Sequence, residues 1–254
     1  MDIIFTIAQN TFRETIRNKV LYNILLFVGI IIVLSVSFGD WSVFARVQVM
    51  NDFGLATMSL SGLLLAVFIG SSLLGKEISG KTIYLTATKP INRGFIIWGK
   101  FFGVYLTLFL NFLIMLAVFS VSLIASGGEL TLLHAKAMIL LITELGVILA
   151  FSLLFSVLSS PTLASIFTIG FYIIGHFNNI AGIADMQDHL WLIPILKAFM
   201  AVIPNLDFFN IRAAVVQENP ISGIYVISAT IYGVLYIAIA LSLAALAFGK
   251  KDLS

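Results

Sequence analysis

Residues 95–125 read FIIWGKFFGVYLTLFLNFLIMLAVFSVSLIA, a run of 31 residues in which Lys100 is the only charged side chain. As a helix at 1.5 Å per residue this run is roughly 46 Å long, more than the ~30 Å hydrocarbon layer of a bilayer. Its first turn or two therefore belong to the membrane interface, a setting that suits Trp98 and Lys100. The fold follows from this reading: an apolar stretch of such length is a membrane span.

The rest of the chain agrees. Of 254 residues, 60% are hydrophobic and 10% charged, with a mean hydropathy of +1.10. An ordinary soluble domain is about a quarter charged, and so few charges cannot cover a soluble body of this size. Further apolar stretches occupy residues 20–38, 53–74, 133–158, 162–184 and 221–248, so six spans use most of the chain. No soluble catalytic domain of normal size fits beside them. The chain has no cysteine, which excludes disulfides, thiolate metal sites and cysteine nucleophiles.

Ahead of the first span, Phe5, Ala8, Phe12 and Ile16 recur at helical spacing while Gln9, Arg13 and Arg17 line another face. That pattern predicts an amphipathic interfacial helix over residues 2–18, one apolar side toward lipid. Gly39, Asp40, Arg46, Asn51 and Asp52 predict a short polar loop between the first two spans. Residues 190–203 form an apolar piece broken by Pro194 and Lys197, so the segment 185–220 reads as external or re-entrant rather than as a seventh span.

Charge sets the orientation. With six spans, one side carries ten of the fourteen Lys and Arg: Arg13, Arg17 and Lys19; Lys76, Lys81, Lys89, Arg93 and Lys100; Lys250 and Lys251. Positive-inside then puts both termini and the 75–94 loop in the cytoplasm. Seven acidic residues lie on the other side against four on this one.

Few residues offer chemistry. Gly75 to Thr82 (GKEISGKT) satisfies the phosphate-loop pattern GxxxxGK[ST], but a transmembrane helix feeds it where a buried strand should, and no parallel strand ending in Asp follows. His134, His176 and His189 lack metal-ligand spacing, and neither HExxH nor GxSxG occurs. Glu144 is the one carboxylate deep in a span, near the midplane, at a cost on the order of 3 kcal/mol. His176, Asn178 and Asn179 lie at a depth from which they could join it. Two readings stand side by side: a substrate or proton path, and a protonated acid satisfying a helix contact. Gly99 and Gly103 form a GxxxG, which reads as close helix packing. Across residues 75–94, apolar Ile78, Ile83, Tyr84 and Leu85 alternate with Lys76, Glu77, Lys81 and Lys89, which suits a short helix with one face for the membrane or a partner.

This loop, GKEISGKTIYLTATKPINRGFIIWGKFFG at residues 75–103, resembles the corresponding segment of ABC-2 transporter permeases, and TFRETIRNKVLY at residues 11–22 is similar to their N-terminal interfacial helix. The resemblance implies an all-α membrane protein of six transmembrane helices, with an N-terminal amphipathic helix and a cytoplasmic coupling helix between spans two and three. It implies a permease subunit of an ATP-binding cassette exporter in a prokaryotic cytoplasmic (inner) membrane. Glu77, Ile78, Gly80, Thr82, Lys89, Pro90 and Arg93 match the coupling segment, with Arg13 and Arg17 beside it. The implied partners are two copies of a cytoplasmic ATPase subunit, which would hold the ATP and magnesium, a second permease copy (the same chain or a paralogue), and membrane lipid. The permease itself would be non-catalytic, would bind no cofactor and would have no nucleic-acid partner. Two alternatives are a force transmitter that moves nothing across the membrane and a standalone proton- or ion-coupled carrier built on Glu144.

Overall fold

The computed structural model describes residues 2–17, 19–41, 46–79, 93–176 and 203–250. All their regular structure is helical: α1 (Asp2–Ile16), α2 (Lys19–Trp41), α3 (Arg46–Ser79), α4 (Arg93–Ala125), α5 (Leu132–Leu158), α6 (Pro161–His176), a 3-10 turn (Leu206–Phe209), α7 (Arg212–Val216) and α8 (Gly223–Lys250). Four segments, Val47–Leu73, Gly94–Ala125, Leu132–Leu158 and Gly223–Lys250, are long and apolar enough to cross a membrane. Shorter apolar helices cover Ile24–Val33 and Pro161–His176. The outer faces of α4 and α8 expose Phe102, Leu106, Ile114, Val121, Ile227, Ile231, Leu235 and Leu246, a continuous apolar surface that water would not tolerate and lipid would. Thr57, Thr143 and Thr168 turn their hydroxyls back to the carbonyls four residues earlier on their own helices, so these three bring no unpaired donor into the apolar interior.

The helix at the centre is α5, with 18 of its 27 residues buried. It packs against α3, α4, α6 and α8. The α3 seam is made by small residues at four-residue spacing, Gly62, Ala66 and Gly70. A Cβ added at Gly62 would lie 2.5 Å from Leu145 Cδ1, and one at Gly70 would lie 2.6 Å from Ser152 Oγ. Small residues let the two backbones approach closely, the arrangement that holds helices together where lipid removes the hydrophobic drive. The contacts also set direction. Asn51 meets His134, Gly62 meets Leu145 and Gly70 meets Ser152, so α3 and α5 run parallel. Lys136 donates to the Ile221 carbonyl and Gly233 abuts Thr143, so α8 runs parallel to both. Phe155 meets Phe167, Phe151 stacks on Phe171 and Glu144 meets His176, so α6 runs the other way. Gly54 abuts Phe119, which makes α4 antiparallel as well. The ends of α3, α5 and α8 and the starts of α4 and α6 therefore share one face of the bundle.

The structure differs from the sequence-based boundaries at several places. The helix α3 begins at Arg46, seven residues before the expected start of the span, and takes in Asn51 and Asp52. Their polarity needs no loop, because Asn51 pairs with His134 and Asp52 with Arg212. The helix α2 likewise runs on through Gly39 and Asp40 to Trp41. At its far end α3 continues to Ser79, so Gly75 to Ser79 are helical and their amides serve the helix rather than a phosphate cradle. The described part of the expected 162–184 span is Pro161–His176. Within 185–220 the described residues form the 3-10 turn and α7.

The N-terminal helix docks on α4. A Cβ at Gly99 would lie 2.8 Å from Ile7 Cβ, and one at Gly103 would lie 2.6 Å from the Ala8 carbonyl oxygen. The GxxxG is a seat for α1. The protein-facing side of α1 carries buried Thr11 and Thr15, with Ile4, Ile7 and Ala8 beside them, whereas Phe5 is 70% exposed. Lys100, next to Gly99 in this part of α4, is buried. Gly103→Val should release α1, costing about 1–3 kcal/mol. Hydrogen exchange would report it as faster exchange across residues 2–16 with α5 unchanged, whereas unaltered protection of residues 2–16 would contradict this seat.

Candidate functional site

Glu144 lies twelve residues into α5, roughly 18 Å from its start and close to the middle of the helix. The surrounding helices leave it 3% exposed. The antiparallel ladder of aromatic contacts between α5 and α6 ends on this residue: His176, last in α6, brings its Nε2 to 3.4 Å from Glu144 Oε1. That oxygen has no hydrogen-bond partner among the described residues.

The histidine's other nitrogen fixes the proton arrangement. His176 Nδ1 lies 3.2 Å from the Tyr172 carbonyl oxygen, which can only accept, so Nδ1 carries a hydrogen and donates. If the ring is neutral, Nε2 then presents a lone pair toward a carboxylate oxygen. Two acceptors at 3.4 Å repel unless a proton belongs to the pair, on Glu144 or on His176. At this separation one proton on either group offsets the repulsion electrostatically, without a hydrogen bond joining Nε2 to Oε1.

Beside them is a cavity of about 140 Å³, room for on the order of four waters. Leu55, Ser59 and Leu60 of α3 form one wall, Tyr172 of α6 another, and Phe209, Asn210 and Arg212 close the third. This last wall comes from the segment between α6 and α8. Leu206 and Phe209 are buried, fitting where Gly175 and Gly233 leave space: a Cβ on Gly175 would meet Leu206 at 2.7 Å, and one on Gly233 would meet Phe209 at 3.0 Å. Tyr232 accepts from the Asn205 amide and Tyr225 donates to the Phe208 carbonyl. Arg212 Nε pairs with Asp52 Oδ1 at 2.9 Å, tying α7 to the start of α3. Both partners of that pair are nearly half exposed, so it contributes at most about 1 kcal/mol.

A second polar cluster sits at the start of α5. His134 Nδ1 accepts the Thr131 amide at 3.2 Å, which leaves Nε2 to donate to Asn51 Oδ1 at 3.1 Å. This histidine caps α5 and ties it to α3. Among the described residues no group of three His, Cys, Asp or Glu could hold a metal ion.

Of the expected substrate-path residues, Glu144 and His176 come together, and Asn178 lies outside the described residues. Of the coupling residues, Glu77 and Ile78 fall in the last turn of α3, Arg93 is the first residue of α4, and Arg13 and Arg17 are exposed at the end of α1. Gly80, Thr82, Lys89 and Pro90 lie outside the described residues. Ser59, Tyr172, Phe209 and Arg212 were not anticipated. Tyr172 could have been, since it stands one helical turn before His176, but nothing local marks the others. No protein-family model and no curated protein matches this sequence.

If Glu144 and His176 interact as placed, Glu144→Gln and His176→Gln together should cost less stability than the sum of the single changes, by about 0.5–2 kcal/mol. Thermal unfolding in detergent measures this. Additive costs would mean that the close approach carries no energy.

Proposed function

We propose that this protein is the membrane subunit of an ATP-driven exporter, in which a separate cytoplasmic ATPase, present in two copies, hydrolyses ATP and a second permease copy completes the unit. The observation that carries this reading is the seating of α1 on Gly99 and Gly103 at the start of α4, on the face where α3, α5 and α8 end. Lys76, Arg93 and Lys250 lie at ends of elements that meet at this face, and Arg13 and Arg17 follow at the end of the helix seated alongside α4. A basic platform built from the N-terminal helix and the two helices flanking residues 80–92 is suited to receive a push from a partner and pass it into the bundle. On this reading α2 and α6 join the four long helices as the first and fifth of six spans. Their alternation is supported by α3, α5 and α8 running parallel, with α4 and α6 opposed. The basic face is cytoplasmic, with both termini, in a prokaryotic inner membrane. Glu77, Ile78, Gly80, Thr82, Lys89, Pro90 and Arg93 form the coupling segment, and a variant of the same machine would move an external partner instead of a solute.

A second reading has its own observation. The close approach of Glu144 and His176, with one proton on the pair, favours a carrier coupled to protons, with no ATPase.

Affinity purification from native membranes distinguishes the two. The exporter reading expects an ATPase subunit to co-purify and to hydrolyse ATP. The double substitution Glu77→Ala with Arg93→Ala should lower that recovery at least fivefold while the permease still inserts. Full recovery with the double variant would remove the coupling role from these residues; absence of any ATPase, with transport persisting, would favour the carrier.

A further inference from the structure

We propose that the cavity beside Glu144 is a binding site for a small organic ammonium ion, taken up in exchange for the proton that the Glu144–His176 pair carries. The site stands whether or not an ATPase drives the protein.

The charges around the cavity decide the sign of the ligand. From α3 comes Asp52, from α5 Glu144, from α6 Tyr172 and His176, from the 3-10 turn Asp207, and from α7 Arg212. Among the described residues here the permanent cation is Arg212, and it is already held by Asp52 at 2.9 Å. What remains is an acidic residue in the wall with a buried oxygen that no described group satisfies. A buried carboxyl oxygen left without a donor is costly, and a ligand that donates hydrogen bonds and carries positive charge lowers that cost. An anion would meet Glu144, and the described cation in the wall, Arg212, is already paired with Asp52.

The walls decide the type of cation. Tyr172 and Phe209 present aromatic rings, which attract cations over their faces, while Leu55 and Leu60 supply apolar surface for a short carbon stem. The space, about 140 Å³, suits an ion of roughly three to five non-hydrogen atoms, allowing for a water or two. A divalent metal would want several carboxylate or imidazole ligands, and among the described residues no such group of three exists.

Exchange follows from the proton arrangement. With His176 Nδ1 committed to the Tyr172 carbonyl, the empty site keeps one proton on the pair. An ammonium group donating to Glu144 replaces that proton, which leaves to solvent, so one positive charge enters as another departs. No bond to carbon forms or breaks.

The test uses the whole protein in lipid nanodiscs, with ethylammonium chloride as the probe, ethanol as its neutral counterpart and sodium chloride to match ionic strength. Calorimetric titration should show saturable binding of ethylammonium and none of ethanol. Repeating it in two buffers of different ionisation enthalpy should show one proton released per ion bound. Glu144→Gln should weaken binding at least tenfold, and Ser59→Leu, which fills the cavity from α3 and leaves Glu144 in place, should also abolish it. No saturable binding to the folded protein, equal binding of ethanol, binding unchanged in both variants, or binding without proton release would each overturn the proposal. Recovery or loss of an ATPase partner bears only on the exporter reading, so the two failures are distinct.

Discussion

The close approach of α3 to α5 is the contact on which the remaining structure rests. Gly62, Ala66 and Gly70 keep α3 free of side-chain bulk along one stripe, and Leu145, Leu149 and Ser152 occupy the room. In a bilayer, apolar surface alone gives two helices little reason to prefer each other over lipid, so fit and polar contacts must supply it. Once this seam forms, Asn51 reaches His134 at one end and Ser152 bonds the Val67 carbonyl farther along. It also sets Leu55 and Ser59 across from Glu144, which makes a cavity out of what would otherwise be the flank of a helix.

The two faces of the bundle differ in how they are finished. At the face where α3, α5 and α8 begin, the segment of residues 203–216 folds inward, and two apolar side chains fill gaps left by glycines on α6 and α8. This closes one wall of the cavity and fastens itself through Arg212 and Asp52. At the opposite face a separate helix, α1, lies across the start of α4 and its arginines stay exposed. An inward-folded cap at one end and a charged platform at the other give the bundle a direction, with the Glu144–His176 pair between them.

Much of this was legible in the sequence, and what was not has a physical reason. Hydropathy identified the long helices because a span must be apolar along its whole length. Depth counting along residues 133–158 and 162–184 brought Glu144 and His176 to a common region, since helical rise is regular. The start of α3 was misread because Asn51 and Asp52 look like loop residues until their partners, His134 and Arg212, are known; those lie 83 positions away in one case. The buried side of α1 was not legible locally: Phe5 stays on the outer side, while Thr11 meets α4 because a backbone seated on Gly99 and Gly103 admits only modest side chains. The plug of Leu206 and Phe209 depends on glycines in two other helices, and no local pattern announces it.

The absence of native cysteine makes the direction of the bundle directly measurable. Single cysteines placed at Thr82 and at Asn219, each labelled with a membrane-impermeant maleimide on intact cells and again after lysis, test which face is which. A cytoplasmic basic platform requires Asn219→Cys to label on intact cells and Thr82→Cys only after lysis. The reverse pattern would put the platform outside, beyond the reach of any cytoplasmic ATPase, and would contradict the proposed mechanism at its base.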